Sequence, residues 1–396
     1  IYHAMTYNPT ALEQPAQIAV GRHRFSIGVP ASAAPHERRF PLTPEAVSIL
    51  TSKGYTVKIE QGGADVIHYT DNRYSRAGAV ICERTSTRQC DIVIHLAPPT
   101  VADLTSMRRG AMLMTLFNSG HGYTRSQIAA LLHNGILAIG IDLIRDSEGH
   151  APFADILSEI DGRASMALAS ALLADAVAGK GILLGGVAGI NPCEVMIIGS
   201  GIAARAAALS ALGLGARVRM FDSDAYSLRS ALLRLGAGID GSAPHPHVLH
   251  NALRSADVVI ATPISRPVVI GADAVESMKH GVITFDVTGH PGVTFPSLPT
   301  VDLAIARYCD NTLDGHRVCY INAGSAVPRT AAMALRDTLR SMFDDLVVCE
   351  GLANAVKITP GVQQAALTFN GHAVNPIVSR IAGCRLTDLA LFLQLS

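Results

Sequence analysis

The chain has 396 residues, 49% of them hydrophobic and 16% charged, a balance that suits a large buried α/β core and excludes a disordered or fibrous chain. Lys plus Arg and Asp plus Glu both total 32, so no net field favours nucleic acid or an anionic membrane, and a small-molecule partner fits better. The 7 cysteines form no CxxC pair, which argues against a disulfide framework and against a metal centre, and no run approaches the ~18 apolar residues of a membrane span.

Residues 1–24 read as a polar leader without the pattern of a signal peptide, so a cytoplasmic protein with reduced thiols is expected. Short apolar runs then alternate with helical patterns. Phe25–Pro30, Tyr55–Glu60, Ala79–Cys82, Asp91–Leu96, Ala111–Leu116 and Ile136–Asp142 read as strands, and Pro44–Lys53 as a helix capped by Thr43. A long helix is expected from near Ser158 through Ala178, broken by Gly185, Gly186 and Gly189. Further strands follow at Glu194–Ile198, Arg217–Asp222, Asp257–Ala261 and Val282–Val287, and Arg329–Val348 is helical with no sign of which half it packs on. His245, His247 and His250 read as a solvated loop. The alternation implies an α/β protein of two Rossmann-like, doubly wound domains with a cleft between them.

The strand Val195–Ile198 runs into Gly199-Ser200-Gly201-Ile202-Ala203-Ala204 and then a helical pattern. Gly199 permits the tight turn, Gly201 lets backbone approach a pyrophosphate, and Ala204 allows close helix–strand packing. Asp222 ends the next strand, about 20 residues on, where its carboxylate can accept from ribose hydroxyls and repel a 2′-phosphate. The cofactor expected from this order of features is NAD rather than NADP.

Three further stretches carry a resemblance: His36-Glu37-Arg38-Arg39-Phe40-Pro41-Leu42-Thr43-Pro44, Lys180-Gly181-Ile182-Leu183-Leu184-Gly185-Gly186-Val187, and Asn322-Ala323-Gly324-Ser325-Ala326-Val327-Pro328-Arg329-Thr330. With the fingerprint, they resemble the alanine dehydrogenase and transhydrogenase α-subunit family over residues 25–345. The resemblance implies a substrate domain of residues 25–157 plus 330–396, an NAD-binding domain of residues 158–329, and an oligomer, hexameric in many alanine dehydrogenases. It places Arg39 on the substrate carboxylate, Ser158 near the cofactor, Asp222 on its ribose, and Asn322 near the nicotinamide, with Ala323 replacing the methionine common beside it.

The departures fall where the family does its chemistry. Ala97 stands at the expected lysine, Asn118 at the expected catalytic histidine, and His290 near the acid expected after Val282–Val287. His95, His121 and His290 remain as replacement acid/base groups, since a neutral imidazole suits proton transfer near neutral pH. Two functions follow. One is reversible NAD-dependent oxidative deamination of L-alanine or a related 2-amino acid. The other is an NAD(H)-binding, transhydrogenase-like protein that passes hydride to a partner.

Overall fold

The computed structural model describes residues 25–118, 122–236, 238–306, 317–347 and 360–394. The expected leader and His121 lie outside the described residues. Among the described residues, fifteen strands form two sheets, and each grows from apolar runs that read as continuous because both faces are covered. In the first half these are β1 (Ser26–Val29), β2 (Thr56–Glu60), β3 (Val80–Cys82), β4 (Ile92–Ile94), β5 (Met112–Thr115) and β6 (Leu137–Gly140). In the second they are β7 (Glu194–Ile198), β8 (Arg217–Phe221), β9 (Ile239–Ser242), β10 (Val258–Ala261), β11 (Ile283–Asp286), β12 (Thr300–Asp302) and β13 (Cys319–Ile321). Two late strands, β14 (Ala366–Phe369) and β15 (His372–Ala373), complete the set.

The first sheet runs β3-β2-β1-β4-β5-β6-β14-β15, parallel except where β14 pairs antiparallel with β6 and β15 with β14. The second runs β9-β8-β7-β10-β11-β13-β12, and its ladders are parallel. In both sheets the strand order reverses between the first strand and the fourth, at β1/β4 and at β7/β10. Such a switch point opens a crevice beyond the strands' carboxyl ends, the usual ligand position in open α/β sheets. The fold class expected from the alternation is therefore the one observed.

The two-residue period of each strand divides side chains between two cores. Val195 and Ile197 face one layer, while Met196 and Ile198 face the other. In the first sheet, Ile92 and Ile94 join one core and Val93 its opposite. The helix Pro44–Ser52 begins as the sequence indicates: Thr43 accepts the Ala46 N–H at 3.3 Å, with proline in the first turn.

One long helix ties the halves together, and a second packs on the first sheet's core. Pro152–Ala174 starts earlier than expected because Pro152 sits at its first turn, and it ends at Asp175 rather than at the later glycines. Its early residues Phe153 and Leu157 pack in the first sheet's core, and Ala164, Met166 and Leu173 in the second's. Pro328–Val347 packs on the first core through Ala332, Leu335, Leu339 and Phe343. The reading of His245, His247 and His250 as a loop needs correction. Proline suits a first helical turn, so the helix Pro246–Ser255 starts at once, with His245 at its N-cap and exposed His247 and His250 on it. Among the described residues, no helix is long and apolar enough to cross a membrane.

Candidate active site

The carboxyl ends of both sheets open on one cleft of about 300 Å³. Its walls include His36, Glu37, Arg39, Asn118, Asp142, Ser158, Asp161, Asp286, Thr288 and Asn322. These residues are far apart in sequence and meet because each follows a parallel strand or lies on the shared helix Pro152–Ala174.

On the second sheet, the turn after β7 has the shape the fingerprint requires. Gly199 has φ +109°, and a Cβ there would sit 2.2 Å from Thr262 Oγ1. At Gly201 the nearest atom to an added Cβ is Pro263 O at 3.7 Å, so the backbone stays open to a ligand. No side chain caps the Ile202–Gly213 helix, leaving its amino end for an anion. Ala204 is fully buried and packs with Val195 and Ile197. Asp222 follows β8: its Oδ2 accepts the Ser200 hydroxyl at 2.6 Å and its Oδ1 the Asp224 N–H at 2.8 Å. The carboxylate is thus fixed beside the glycine turn, with lone pairs left for further donors. These residues fit a dinucleotide: a cradle that a Cβ would fill, a free helix end and a positioned acid.

The same helix that carries Ser158 packs hard on the fingerprint helix. A Cβ at Gly162 would lie 2.1 Å from Ala203 O, so only glycine admits this approach. One turn beyond Ser158, Asp161 Oδ1 accepts the Gly324 N–H at 2.8 Å. Asn322 stands at the end of β13 in the left-handed region (φ 61°). Its amide donates to the His36 carbonyl, drawing the two halves together across the cleft.

On the first sheet, Arg39 donates through Nε (2.8 Å) and Nη2 (2.5 Å) to the carboxylate of Glu37. Both side chains are buried, at 9% and 3% exposure. Burial alone would lower the Arg39 pKa, but the charge and hydrogen bonds of Glu37 outweigh it and hold the guanidinium above its ordinary value. Its Nε edge is therefore occupied, and the Nη1/Nη2 end is what a substrate carboxylate can meet. Asp142, after β6, accepts the N–H groups of Phe117 (2.7 Å) and Asn118 (2.9 Å), and burial still raises its carboxyl above the usual range.

The residues at the expected catalytic positions fare differently. Asn118 lines the cleft, and its carbonyl lies 3.3 Å from where a Cβ on Gly289 would be. Ala97 is buried, and its carbonyl meets His95 Nδ1 at 2.6 Å. That bond puts the proton on Nδ1 and leaves His95 Nε2 buried without a partner, while burial lowers the ring's pKa. His95 is not part of the cleft wall. His290 is exposed and outside the wall too, although its neighbours Gly289 and Pro291 line the cleft.

What the sequence reading misses is a set of carboxyl groups. Burial pushes Asp161 up to about 6, opposed by Arg39 and the Gly324 N–H and reinforced by Glu37. Asp286 ends β11, accepts the Thr288 hydroxyl at 2.6 Å, and keeps Oδ2 buried without a hydrogen bond. Burial raises its carboxyl too. Both are visible as letters: Asp161 lies three residues from Ser158, hence on the same helix face, and Asp286 sits in a predicted strand.

Fold and site together define a two-sheet dinucleotide-fold protein whose paired switch points share one cleft. The chain belongs to the alanine dehydrogenase/PNT family: the N-terminal domain model matches residues 28–160 and the C-terminal domain model residues 165–376. It is 28% identical over 373 residues to the alanine dehydrogenase of Staphylococcus haemolyticus, covering 92% of this chain and 98% of that protein. Against the alanine dehydrogenase of Mycolicibacterium smegmatis it is also 28% identical, over 93% of this chain and 99% of the relative. Among solved structures, an L-alanine dehydrogenase superimposes with TM-score 0.78 at 25% identity, covering 90% of this chain and 98% of that one. The transhydrogenase from Sinorhizobium meliloti shares the fold, with TM-score 0.69 at 20% identity over 88% and 99% of the two chains.

Proposed function

We propose that this chain is an NAD-dependent oxidoreductase that oxidatively deaminates a small 2-amino acid, L-alanine or a relative of it, and runs in reverse from the 2-oxo acid. The observation that carries this reading is the shared cleft: Pro263, Thr288 and Asn322, from the sheet that bears the glycine turn, line one side, and the buried Arg39–Glu37 pair the other. Gly199, Gly201 and Ala204 would hold the pyrophosphate, Asp222 the ribose, and Ser158 and Asn322 the nicotinamide end. When bound, the nicotinamide accepts or returns a hydride. The chain's own residues orient the substrate: Arg39 takes its carboxylate at the Nη1/Nη2 end, while Asp142 braces the Phe117–Asn118 turn on the same side of the cleft. We assign residues 25–157 and 330–396 to the substrate half and residues 158–329 to the cofactor half, and expect a homo-oligomer.

The second reading, hydride transfer to a partner-bound cofactor, draws support from one specific observation. Ala97 and Asn118 stand at the family's lysine and histidine positions, and His95 is sealed away from the cleft. The two readings part on a simple measurement. NADH oxidation at 340 nm is followed with a panel of 2-oxo acids plus ammonia, and NAD reduction with L-alanine. Ammonia-dependent turnover supports the dehydrogenase. Tight NADH binding with no turnover on any of them transfers the weight to hydride exchange, and failure to bind NADH sinks both.

A further inference from the structure

The cleft needs a group that can exchange a proton with substrate, and most candidates in its wall are already committed. Both oxygens of Glu37 are held by Arg39, and both oxygens of Asp142 by backbone N–H groups. Asp286 spends Oδ1 on Thr288, and its Oδ2 is closed off from solvent. His95 and His290 are outside the wall. Asp161 differs from all of these. Its Oδ1 is anchored by the Gly324 N–H, its Oδ2 carries no hydrogen bond among the described residues, and the side chain lines the cleft.

From this geometry we infer that Asp161 is the general acid/base of the cleft, acting through Oδ2 on the substrate's nitrogen and on the attacking water. The inference rests on the dehydrogenase reading above, with the nicotinamide as the oxidant that leaves an iminium carbon on the substrate. The Asp161 carboxylate takes a proton from water as the water oxygen bonds to that carbon, giving a carbinolamine. The carboxylic acid then returns the proton to nitrogen. The C–N bond breaks with its electron pair leaving on ammonia, and the remaining O–H proton goes back to the carboxylate as the carbonyl forms. No metal and no second cofactor enters this balance.

The environment suits the task. A carboxyl that changes state near pH 6 is poised between the two forms the cycle needs. Arg39 favours its carboxylate, Glu37 opposes it, and Asp142 acts on the same Arg39. Anchoring one oxygen on a backbone N–H fixes the other in place without using it, and the helix Pro152–Ala174 supplies the rigidity.

The test compares the full chain with Asp161→Asn, which keeps the Gly324 contact and the volume but cannot carry the proton. Three readouts are taken: NADH affinity, the pH profile of kcat/KM on whichever 2-amino acid the parent oxidises, and the same profile for His36→Gln, the imidazole of the same wall. The expected result is unchanged NADH affinity with a ~10²–10⁴-fold loss in kcat/KM. The acidic limb near pH 6 should vanish in Asp161→Asn and persist in His36→Gln. Equal activity in Asp161→Asn, or loss of the limb only in His36→Gln, overturns the assignment while leaving the dehydrogenase reading intact. A parent that binds NADH but oxidises no amino acid removes that reading, and the assignment with it.

Discussion

The two sheets have the same strand order around their switch points and opposite fates in their chemistry. On the β7–β13 side, the turn, the helix end and the acid keep the arrangement that a dinucleotide requires. On the β1–β6 side, the scaffold is as well packed, yet Ala97 and Asn118 stand where the resemblance expects a lysine and a histidine. The contrast shows that a binding platform and a reaction set answer to different constraints. A cofactor cradle depends on backbone shape, where a single Cβ at Gly199 meets Thr262 at 2.2 Å. An acid/base depends only on a side chain reaching the right space, and a neighbouring position on another element can supply it.

The largest effect should come from the side of the first sheet. Arg39→Met leaves Glu37, only 4% exposed, as an uncompensated buried charge, and is expected to cost about 3–5 kcal/mol of stability by denaturant unfolding. Adding Glu37→Gln should recover much of that loss. If the single variant unfolds at the parent midpoint, the pair is no electrostatic anchor.

On the side of the second sheet, Gly199→Ala combines a left-handed backbone with an overlap on Thr262, and a loss of roughly 2–4 kcal/mol is expected. NADH binding should fall with it, and the first sheet's Tyr55 and Phe343 core should be untouched. A variant that binds NADH normally would mean that the turn relaxes more easily than its contacts imply. Asp222→Ala is expected to weaken NADH by ~1.5–3 kcal/mol and to narrow its advantage over NADPH, read from nicotinamide fluorescence titration.

How much of this contrast is legible in the sequence follows the range of the interactions. The residues alone delimit β7 at its observed bounds, Glu194–Ile198, because strand character runs straight into a glycine turn. Thr43 reads as a cap because its partner, Ala46, lies within three residues. β9 and β13 escape: Ile239-Asp240-Gly241-Ser242 is too polar to stand out, and Cys319-Tyr320-Ile321 is too short. Their pairing comes from neighbours far along the chain. The attachment of Pro328–Val347 to the first core is likewise a tertiary choice. The fingerprint is legible because it is local. Asp161 is not, because its character arises from burial beside Arg39 and Gly324, the latter 163 residues away along the chain.

The smallest expected effect tests Asp161 without any substrate. Its folded pKa, about 6, lies above the ordinary 3.8, so the unfolded chain releases this proton first as pH rises. Stability should therefore fall between pH 4 and 6 on account of this group and stay lowered above it. Asp161→Asn removes the decline and should stabilise the protein by about 1–2 kcal/mol at pH 7, allowing for solvent screening, and by nothing below pH 4. Equal stability of the two proteins across this range would show that the carboxyl titrates normally.

The helix Pro152–Ala174 has a mechanical consequence. Because one rod is rooted in both cores and locked against the fingerprint helix at Gly162, sliding the halves past each other would break packing in both cores, whereas a swing about that axle would disturb it least. Points on the axle barely travel during such a swing, and points at the far lips travel most. Asp161, on the axle itself, would hold its distance from the fingerprint turn throughout. A swing would part Asn118 from Gly289, which nearly touch across the cleft, without disturbing the geometry around Asp161.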